Sequence, residues 1–321
     1  MRILVTLPLH TTQKSQMEAL VPHWSIEYSS YGKATAQMVA NTDILIGNVP
    51  VELLSGAKSL KWMQLFSSGA TGYSDVLPEE VLLTCATGTY GTGVSEHMLA
   101  LLLAVMKKLP TYMENQLESI WTNPIPPQMI AGSTVLVVGT GDIGASFARI
   151  VQAMEAQVLG CKRTPAESIA GFDALYTIEE LDSIIPLADV IALALPGTEA
   201  THHLFDERRL RMMKEDAVLI NVGRGSVIDS EALCDVLHEG HLAAAALDVF
   251  EEEPLPKNHC LWQAPRLFIT PHAAGSLVAG NTIHLLFDIV MENLRRYRDG
   301  EPLIHTVDRK TGYLEVANDR N

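Results

Sequence analysis

Residues 134–144 read TVLVV and then GTGDIG, so five apolar residues are followed by glycines at the spacing GxGxxG. Glycine permits a sharp turn and a close approach of the backbone to a phosphate group. The next residues, Ala145–Ala156, suit a helix, whose N-terminus would offer free N–H groups and a partial positive charge. This order favours a dinucleotide-binding turn over an ordinary tight turn at the surface. The residues assigned to it are Gly139, Gly141, Asp142, Ile143 and Gly144.

The apolar run at 134–138 is the first of six that recur downstream. Each gap except the last has room for a helix, and the continuous apolar character is typical of strands buried on both faces of a parallel sheet. The pattern predicts a six-stranded, doubly wound Rossmann sheet. The predicted strands are Thr134–Val138, Gln157–Cys161, Val190–Leu195, Val218–Val222, Ala245–Val249 and Leu267–Thr270.

Shorter β-like runs alternate with helix-suited segments at the start of the chain and predict a second, smaller α/β domain of flavodoxin-like type. A long helix is expected from Val94 to Pro110, followed by an arm or linker at Asn123–Pro127. The last helix, Thr282–Arg298, is predicted to cross back, so the smaller domain would be discontinuous. It would comprise residues 1–96 and 277–321, with residues 97–276 as the dinucleotide-binding domain. The early strands are predicted at Ile3–Leu7, Asp43–Gly47, Trp62–Phe66 and Val81–Cys85, and the early helices at Thr11–Leu20 and Thr35–Ala40.

Basic residues follow the second strand of the predicted Rossmann sheet. At this position an acidic side chain commonly accepts hydrogen bonds from the ribose hydroxyls of NAD. This chain has Lys162, Arg163 and Thr164 instead, which would bind a 2′-phosphate through charge-assisted hydrogen bonds. A solvated basic pair at a strand end is the alternative interpretation. The sequence favours NADP(H) as the cofactor, with NAD(H) as the other candidate.

The composition argues against several classes of protein. Hydrophobic residues make up 47% and charged residues 19%, which fits a folded globular chain. The net charge of −15 argues against a nucleic-acid partner, and the longest apolar stretch, Met98–Met106, is about half a membrane span. The cysteines lack metal-ligand spacing, so no metal is expected, and they are interpreted as buried reduced thiols of a cytoplasmic protein. They are Cys85, Cys161, Cys234 and Cys260.

Three further motifs follow later strands of the predicted sheet. They are NVGRGSVID at 221–229, LDVFEEEPLP at 247–256 and TPHAAG at 270–275. Taken singly, each has an ordinary explanation: an arginine in a surface ion pair, a solvated acidic run, and a histidine in a turn. Because the carboxyl ends of parallel strands meet at one edge of a sheet, where such sheets bind ligands, the three motifs are expected to lie together.

The order of these motifs downstream of GTGDIG resembles the D-isomer-specific 2-hydroxyacid dehydrogenase family, in particular its glyoxylate/hydroxypyruvate reductases. The segment 193–198, LALPGT, is similar to the family's HxPLT segment, with Gly197 in place of the leucine. The resemblance implies that Arg224, Glu253 and His272 are catalytic, and that Ser68, Gly69 and Arg224 bind substrate. It also implies that Asp248 lies beside the nicotinamide ribose. The other cofactor residues that it implies are Pro196, Thr201, Val222, Gly223 and Gly275.

The expected activity is hydride transfer between NADP(H) and a small 2-keto or (R)-2-hydroxy acid such as glyoxylate or hydroxypyruvate. Histidine changes charge near neutral pH, so His272 suits the acid and base, with Glu253 as its partner and Arg224 polarising the substrate. Two alternatives share the fold: a cofactor-sensing binding protein like the dehydrogenase-related corepressors, and an NAD-dependent phosphoglycerate-type dehydrogenase. The resemblance also implies a homodimer, and the short apolar stretch at Met98–Met106 indicates no membrane partner.

Overall fold

The computed structural model describes residues 1–70, 72–164 and 167–314. The chain divides into two compact units, one formed by Met1–Tyr90 together with the chain from Leu277 onward, and the other by Gly91–Ser276. The division before Gly91 differs from the expected boundary after residue 96, which would cut a continuous helix. The assignment of the two units to substrate and to dinucleotide remains a prediction.

The first unit is built around a parallel sheet. Its described strands form the order β2-β1-β3-β4-β5, which is the flavodoxin-like order and confirms the predicted fold class. Strand β2 was not predicted. Its four residues alternate between exposed and half-buried positions at the sheet edge, so they carry no continuous apolar signal. The elements are β1 (Arg2–Val5), α1 (Thr11–Leu20), β2 (Ser25–Tyr28), α2 (Ala36–Ala40), β3 (Ile44–Ile46), β4 (Trp62–Gln64) and β5 (Leu82–Thr84).

The second unit contains the larger parallel sheet, whose described strands form the order β12-β11-β10-β9-β6-β7-β8. This is a Rossmann sheet, and its strand order reverses between β6 and β9. The expectation of six strands was wrong by one, because the half-buried edge strand β8 was missed. The elements are α3 (Gly91–Met106), α4 (Leu109–Leu117), β6 (Thr134–Val138), α5 (Asp142–Ala153), β7 (Gln157–Lys162), β8 (Ala174–Thr177), α6 (Leu181–Ile184), β9 (Val190–Leu193), α7 (Glu207–Met212), β10 (Val218–Asn221), α8 (Ser230–His238), β11 (Ala244–Leu247) and β12 (Leu267–Ile269).

The chain then returns to the first unit through α9 (Thr282–Asp299). The last described residues form a hairpin of β13 (Val307–Asp308) and β14 (Tyr313–Leu314). Helix α9 buries one apolar stripe, which includes Leu286, Val290 and Leu294, against the first sheet. Gly300 ends the helix in the left-handed conformation. No helix in the described ranges is long and apolar enough to cross a membrane.

The cysteines divide into two pairs. Cys85 and Cys161 are buried free thiols, as expected. The expectation was wrong for Cys234 and Cys260, which form a disulfide. They lie far apart in the sequence but come together because α8 packs against the short helical turn that contains Cys260.

Candidate active site

The three glycines of the GTGDIG turn have different physical roles. Gly139 has a φ of +101°, and a Cβ added there would lie 2.6 Å from the carbonyl oxygen of Ala194. A Cβ on Gly144 would overlap the carbonyl oxygen of Gly139, so this residue lets α5 approach β6. A Cβ on Gly141 would instead meet open space at the N-terminus of α5. The turn therefore fits a dinucleotide, because its middle glycine leaves the helix N-terminus accessible to a pyrophosphate.

The basic residues predicted to select the cofactor lie beside this turn. The backbone N–H of Gly139 donates to the carbonyl oxygen of Cys161 (2.9 Å), so Lys162 at the end of β7 is the turn's neighbour along the sheet edge. Lys162 is half-buried, whereas Arg163 and Thr164 are exposed. Burial raises the pKa of the Cys161 thiol to about 12. That thiol is therefore neutral at physiological pH and adds no negative charge beside residues 162–164.

Four more of the predicted cofactor residues follow β9 and β10. The Thr201 hydroxyl donates to the carbonyl oxygen of Pro196 (2.7 Å) and closes the turn after β9. Val222 is buried directly after β10, and a Cβ on Gly223 would lie 2.6 Å from the carbonyl oxygen of Leu195. Because β9 pairs with β6, these turns share the sheet edge with the glycine turn.

The backbone of Arg224 is extended and lies in the turn after β10. Its Nη1 donates to the carbonyl oxygen of Gly223 (2.7 Å), and the Asn221 amide donates to the carbonyl oxygen of Arg224 (2.9 Å). Gly197 packs against the stem of the arginine, since a Cβ there would lie 3.1 Å from both Cβ and Cγ of Arg224. Position 197, where the family has leucine, is thus in close contact with the Arg224 side chain.

The next residue, Gly225, joins two of the motifs through their backbones. A Cβ on Gly225 would overlap the backbone carbonyl of Phe250. The turn that carries Arg224 therefore contacts the start of the loop that carries Glu253 without an intervening side chain. Only glycine allows this approach.

His272 and Glu253 form the central pair of the site. His272 Nδ1 lies 2.6 Å from Glu253 Oε2, and the other carboxylate oxygen accepts the backbone N–H of Phe250 (2.9 Å). The backbone N–H of His272 donates to the carbonyl oxygen of Asp248 (2.8 Å), with a φ of +51°. Side chains with a Cβ rarely adopt this left-handed conformation, and such residues cluster at functional sites. The histidine side chain is 50% exposed, so solvent and small molecules can reach its ring.

Asp248 holds the loop that carries His272. Its carboxylate is 1% exposed and accepts hydrogen bonds from the Thr270 hydroxyl (2.6 Å) and from the backbone N–H groups of Ala273 (2.8 Å) and Ala274 (3.0 Å). His97 of α3 extends this network, with Nε2 at 3.1 Å from the Thr270 hydroxyl. The position of Asp248 beside the nicotinamide ribose stays a prediction. From the sequence, Asp248 is assigned to the cofactor only and His97 is given no role, because a hydrogen-bond network that joins separate segments has no motif of its own.

The remaining predicted residues lie at other strand ends. Ser68 and Gly69 follow β4 in the first unit, where the Ser67 hydroxyl donates to the carbonyl oxygen of Gly69 (2.7 Å). Gly275 is exposed and lies within the loop between β12 and α9. The structure thus gathers Arg224, Glu253 and His272 within the second unit, and Ser68 and Gly69 belong to the first.

A glycine turn at the switch point of a Rossmann sheet, with polar groups on neighbouring strand ends, is the arrangement of enzymes that use a nicotinamide dinucleotide to oxidise or reduce a small substrate. Comparison with known proteins gives the family. Residues 99–274 match the family model described as D-isomer specific 2-hydroxyacid dehydrogenase, NAD binding domain. The chain belongs to this family and is an NAD(P)-dependent oxidoreductase acting on a 2-hydroxy or 2-keto acid.

Relatives and solved structures agree with this placement. The chain is 31% identical over 244 residues to the glyoxylate reductase of Thermofilum pendens, covering 73% of this chain and 71% of that protein. The crystal structure of a D-isomer specific 2-hydroxyacid dehydrogenase family protein from Aeromonas salmonicida has a TM-score of 0.85 and 33% identity over 96% of this chain and 99% of that one. An NADPH-dependent glyoxylate/hydroxypyruvate reductase from Sinorhizobium meliloti, in complex with NADP and sulfate, has a TM-score of 0.80 and 26% identity over 97% and 99% of the two chains.

Proposed function

We propose that this protein reduces a short 2-keto acid, of the size of glyoxylate or hydroxypyruvate, to its (R)-2-hydroxy acid with NADPH. The observation that carries the proposal is the 2.6 Å pair of His272 Nδ1 and Glu253 Oε2 at the sheet edge that also carries Arg224 and the glycine turn. Glyoxylate reductases among the relatives support the substrate class. When bound, the cofactor supplies the hydride.

The pair of His272 and Glu253, here called the dyad, determines which nitrogen of His272 transfers the proton. Ionised Glu253 can only accept hydrogen bonds, so the Nδ1 of His272 that faces it carries hydrogen. The proton that moves during the reaction is therefore the one on Nε2, which protonated His272 gives to the carbonyl oxygen during reduction. In the reverse direction Nε2 accepts the hydroxyl proton. Glu253 keeps the ring oriented and stabilises its positive charge while the proton is present.

Arg224 is assigned to the substrate itself. Its planar guanidinium can bind the carboxylate of a 2-keto acid or polarise the carbonyl oxygen, on which negative charge develops. The hydrogen bond from Nη1 to the carbonyl oxygen of Gly223 fixes the side chain, and the planar guanidinium is suited to bidentate binding of a carboxylate. Backbone N–H groups near Ser68 and Gly69 are proposed to bind the other carboxylate oxygen.

The preference for NADPH rests on Lys162, Arg163 and Thr164 beside the Gly139 turn. Lys162→Asp is expected to weaken NADPH binding much more than NADH binding, because the new carboxylate repels the 2′-phosphate and accepts ribose hydrogen bonds. Lys58→Asp, an exposed change in the other unit, is the charge-matched control. An unchanged ratio of the two affinities in Lys162→Asp would remove the argument for NADPH.

The activity is tested with a panel of 2-keto acids, each assayed with NADPH and with NADH by loss of absorbance of the reduced cofactor. We expect steady turnover with one or more short acids, and loss of turnover in His272→Ala with cofactor affinity retained. Tight cofactor binding without turnover on any acid would instead support the cofactor-sensing alternative. A phosphorylated acid as the preferred substrate, with NADH as cofactor, would support the phosphoglycerate-type alternative.

We propose that the enzyme is a homodimer and that α4 and the segment after it form the contact. Leu117 is 78% exposed and Trp121 is 99% exposed, although apolar side chains of this size normally lose their contact with water. A second copy of the chain is the proposed cover, as the family resemblance implies. Trp121→Glu should shift the mass measured by light scattering from dimer to monomer, whereas a monomeric wild type would refute the assignment.

Because NADPH is supplied and renewed inside cells, a cytoplasmic location is part of the proposal.

A further inference from the structure

A cluster of potential metal ligands lies outside the residues assigned above. His202 and His203 follow the turn after β9, and Glu251 follows β11 in the Glu253 loop. His203 Nε2 lies 2.6 Å from Glu251 Oε1, and the two imidazole rings stack with their centroids 4.0 Å apart. One ligand atom from each of the three residues lies within 4.8 Å of the others. None of the three is used in the proposed reaction.

The backbone brings the two histidines together. Consecutive residues of an extended chain point to opposite sides. His203 instead has a φ of +45°, in the left-handed region, and the ring of His202 lies over its own ring. The backbone N–H of His203 donates to the carbonyl oxygen of Ser226 (2.8 Å), which fixes the turn. One ring nitrogen of each histidine therefore lies within 4.8 Å of a Glu251 carboxylate oxygen.

This donor set suits Zn²⁺. Zinc binds imidazole nitrogen and carboxylate oxygen at about 2.0–2.2 Å in a tetrahedral arrangement, and neighbouring ligand atoms then lie roughly 3.3 Å apart. The separations in the cluster, from 2.6 Å to within 4.8 Å, bracket that value. The side chains of His203 and Glu251 are 34% and 32% exposed. They can adjust by rotation, and water can complete the coordination.

A fourth residue supports the assignment independently. Asp229 Oδ2 lies 3.8 Å from His203 Nδ1, the ring nitrogen opposite the one that faces Glu251. A carboxylate on the far nitrogen of a metal-binding histidine is a recurrent arrangement that orients the ring and raises its basicity. Asp229 is itself fixed, because its carboxylate accepts the backbone N–H of Ala232 at the start of α8 (3.1 Å).

We propose that His202, His203 and Glu251 form a zinc site, with Asp229 as the residue that orients His203. Binding would replace the hydrogen bond between His203 Nε2 and Glu251 by two bonds to the metal, so His203 must be deprotonated at that nitrogen. The ion would join the turn after β9 to the loop that carries Glu253. The site does not depend on the proposed substrate or on the cofactor.

The proposal is tested by calorimetric titration of Zn²⁺ into the full chain, free of any affinity tag and treated beforehand with a chelator. We expect one strong site per chain. His202→Gln removes one ligand and keeps the contact between His203 and Glu251, so it should raise the Kd by at least about tenfold. Glu251→Gln should do the same. His23→Gln, an exposed histidine in the other unit, is the matched control and should bind as the wild type does.

Co²⁺ in place of Zn²⁺ gives a second readout, since four-coordinate cobalt absorbs visible light and the band should be lost in His202→Gln. The proposal is overturned if the wild type takes up no stoichiometric Zn²⁺ at about 100 μM. It is also overturned if His202→Gln and Glu251→Gln bind zinc as tightly as the wild type. Should Glu251→Gln fail to fold, His202→Gln decides alone, because its side chain is exposed.

Discussion

Replacing Glu253 by glutamine tests the chemistry of the dyad with almost no change of shape. The backbone N–H of Phe250 donates to Glu253 Oε1, so the amide oxygen of the glutamine should take that position. The amide NH₂ then faces His272 Nδ1, where Oε2 stood. An N–H group cannot accept the hydrogen of an Nδ1–H. The variant therefore favours neutral histidine with its hydrogen on Nε2 and opposes the protonated ring.

The expected loss follows from the bond that is removed. A hydrogen bond to a charged group contributes about 1.5–3 kcal/mol. An opposing N–H dipole replaces the carboxylate, which places the loss in the upper part of that range, about 2–3 kcal/mol. Partial exposure of both side chains keeps the loss from being larger. Through the transition-state relation this gives a fall in kcat of about 30- to 150-fold. The NADPH affinity should stay within about twofold, since Glu253 does not belong to the glycine turn.

The assay is NADPH oxidation with the best acid of the panel, together with NADPH titration by fluorescence. Glu252→Gln is the matched control, because it removes the same charge one residue away on an exposed side chain. Glu253→Asp keeps the carboxylate and should recover part of the rate. If Glu253→Gln stays within threefold of the wild type, or if Glu252→Gln loses as much, the dyad does not work as described.

Four further substitutions test the turns and one surface cluster. Gly141→Ala should leave the melting temperature nearly unchanged but weaken NADPH binding. Gly139→Ala should lower the melting temperature, because residue 139 has a positive φ. Equal melting temperatures of the two variants would contradict this. Gly225→Ala should cost about 1–3 kcal/mol in urea unfolding and abolish turnover, since its methyl group overlaps the Phe250 backbone; an active variant would refute the close approach. Hydrogen bonds from two arginines of α7 hold the pKa of Asp182 at about 2, against 3.8 for the unperturbed group. The ionised Asp182 therefore stabilises the folded state fully at pH values above the pKa of the unfolded chain, and this stabilisation is lost as the pH falls through about 2. Asp182→Asn should lower the free energy of unfolding by about 0.5–1 kcal/mol at pH 7 and by much less near pH 2.5. An equal loss at both pH values would contradict this.

The sequence predicted the strands that have continuous apolar runs and missed those that do not. Each predicted strand of the Rossmann sheet overlaps a strand of the structure, and α1 has the predicted bounds. Strands β2 and β8 were missed: β2 alternates between exposed and half-buried residues, and β8 has four half-buried residues at the sheet edge. Hydrophobic periodicity reports burial rather than hydrogen bonding, so an edge strand with exposed faces is invisible to it.

Helix boundaries depended on tertiary contacts that no local pattern contains. The long helix was expected to begin at Val94, but α3 begins at Gly91, where the Asp142 carboxylate occupies the space that a side chain would need. The helix was also expected to continue to Pro110. It ends at Met106, since Lys108 is left-handed and Pro110 opens α4 in its first turn.

The candidate site was predicted residue by residue, but the way it is supported was not. The position of Glu253 within three consecutive glutamates came from the family resemblance, and the structure places that carboxylate on His272. The buried network of Asp248, Thr270 and His97 joins residues from three separate segments. Such a network depends on the packing of α3 against the sheet, which the sequence of any one segment does not encode.

The left-handed backbone at His272 has a consequence for how this protein can change over generations. A residue with a Cβ held at a φ of +51° carries a conformational cost of about 1–2 kcal/mol that glycine would not incur. If His272 is the acid and base of the proposed reaction, that cost is the consequence of placing a histidine there for the chemistry. A descendant released from selection for turnover should drift towards glycine or asparagine at position 272 and fold more stably for it. Such a replacement in a related sequence would therefore mark a protein that has kept the architecture and given up the chemistry.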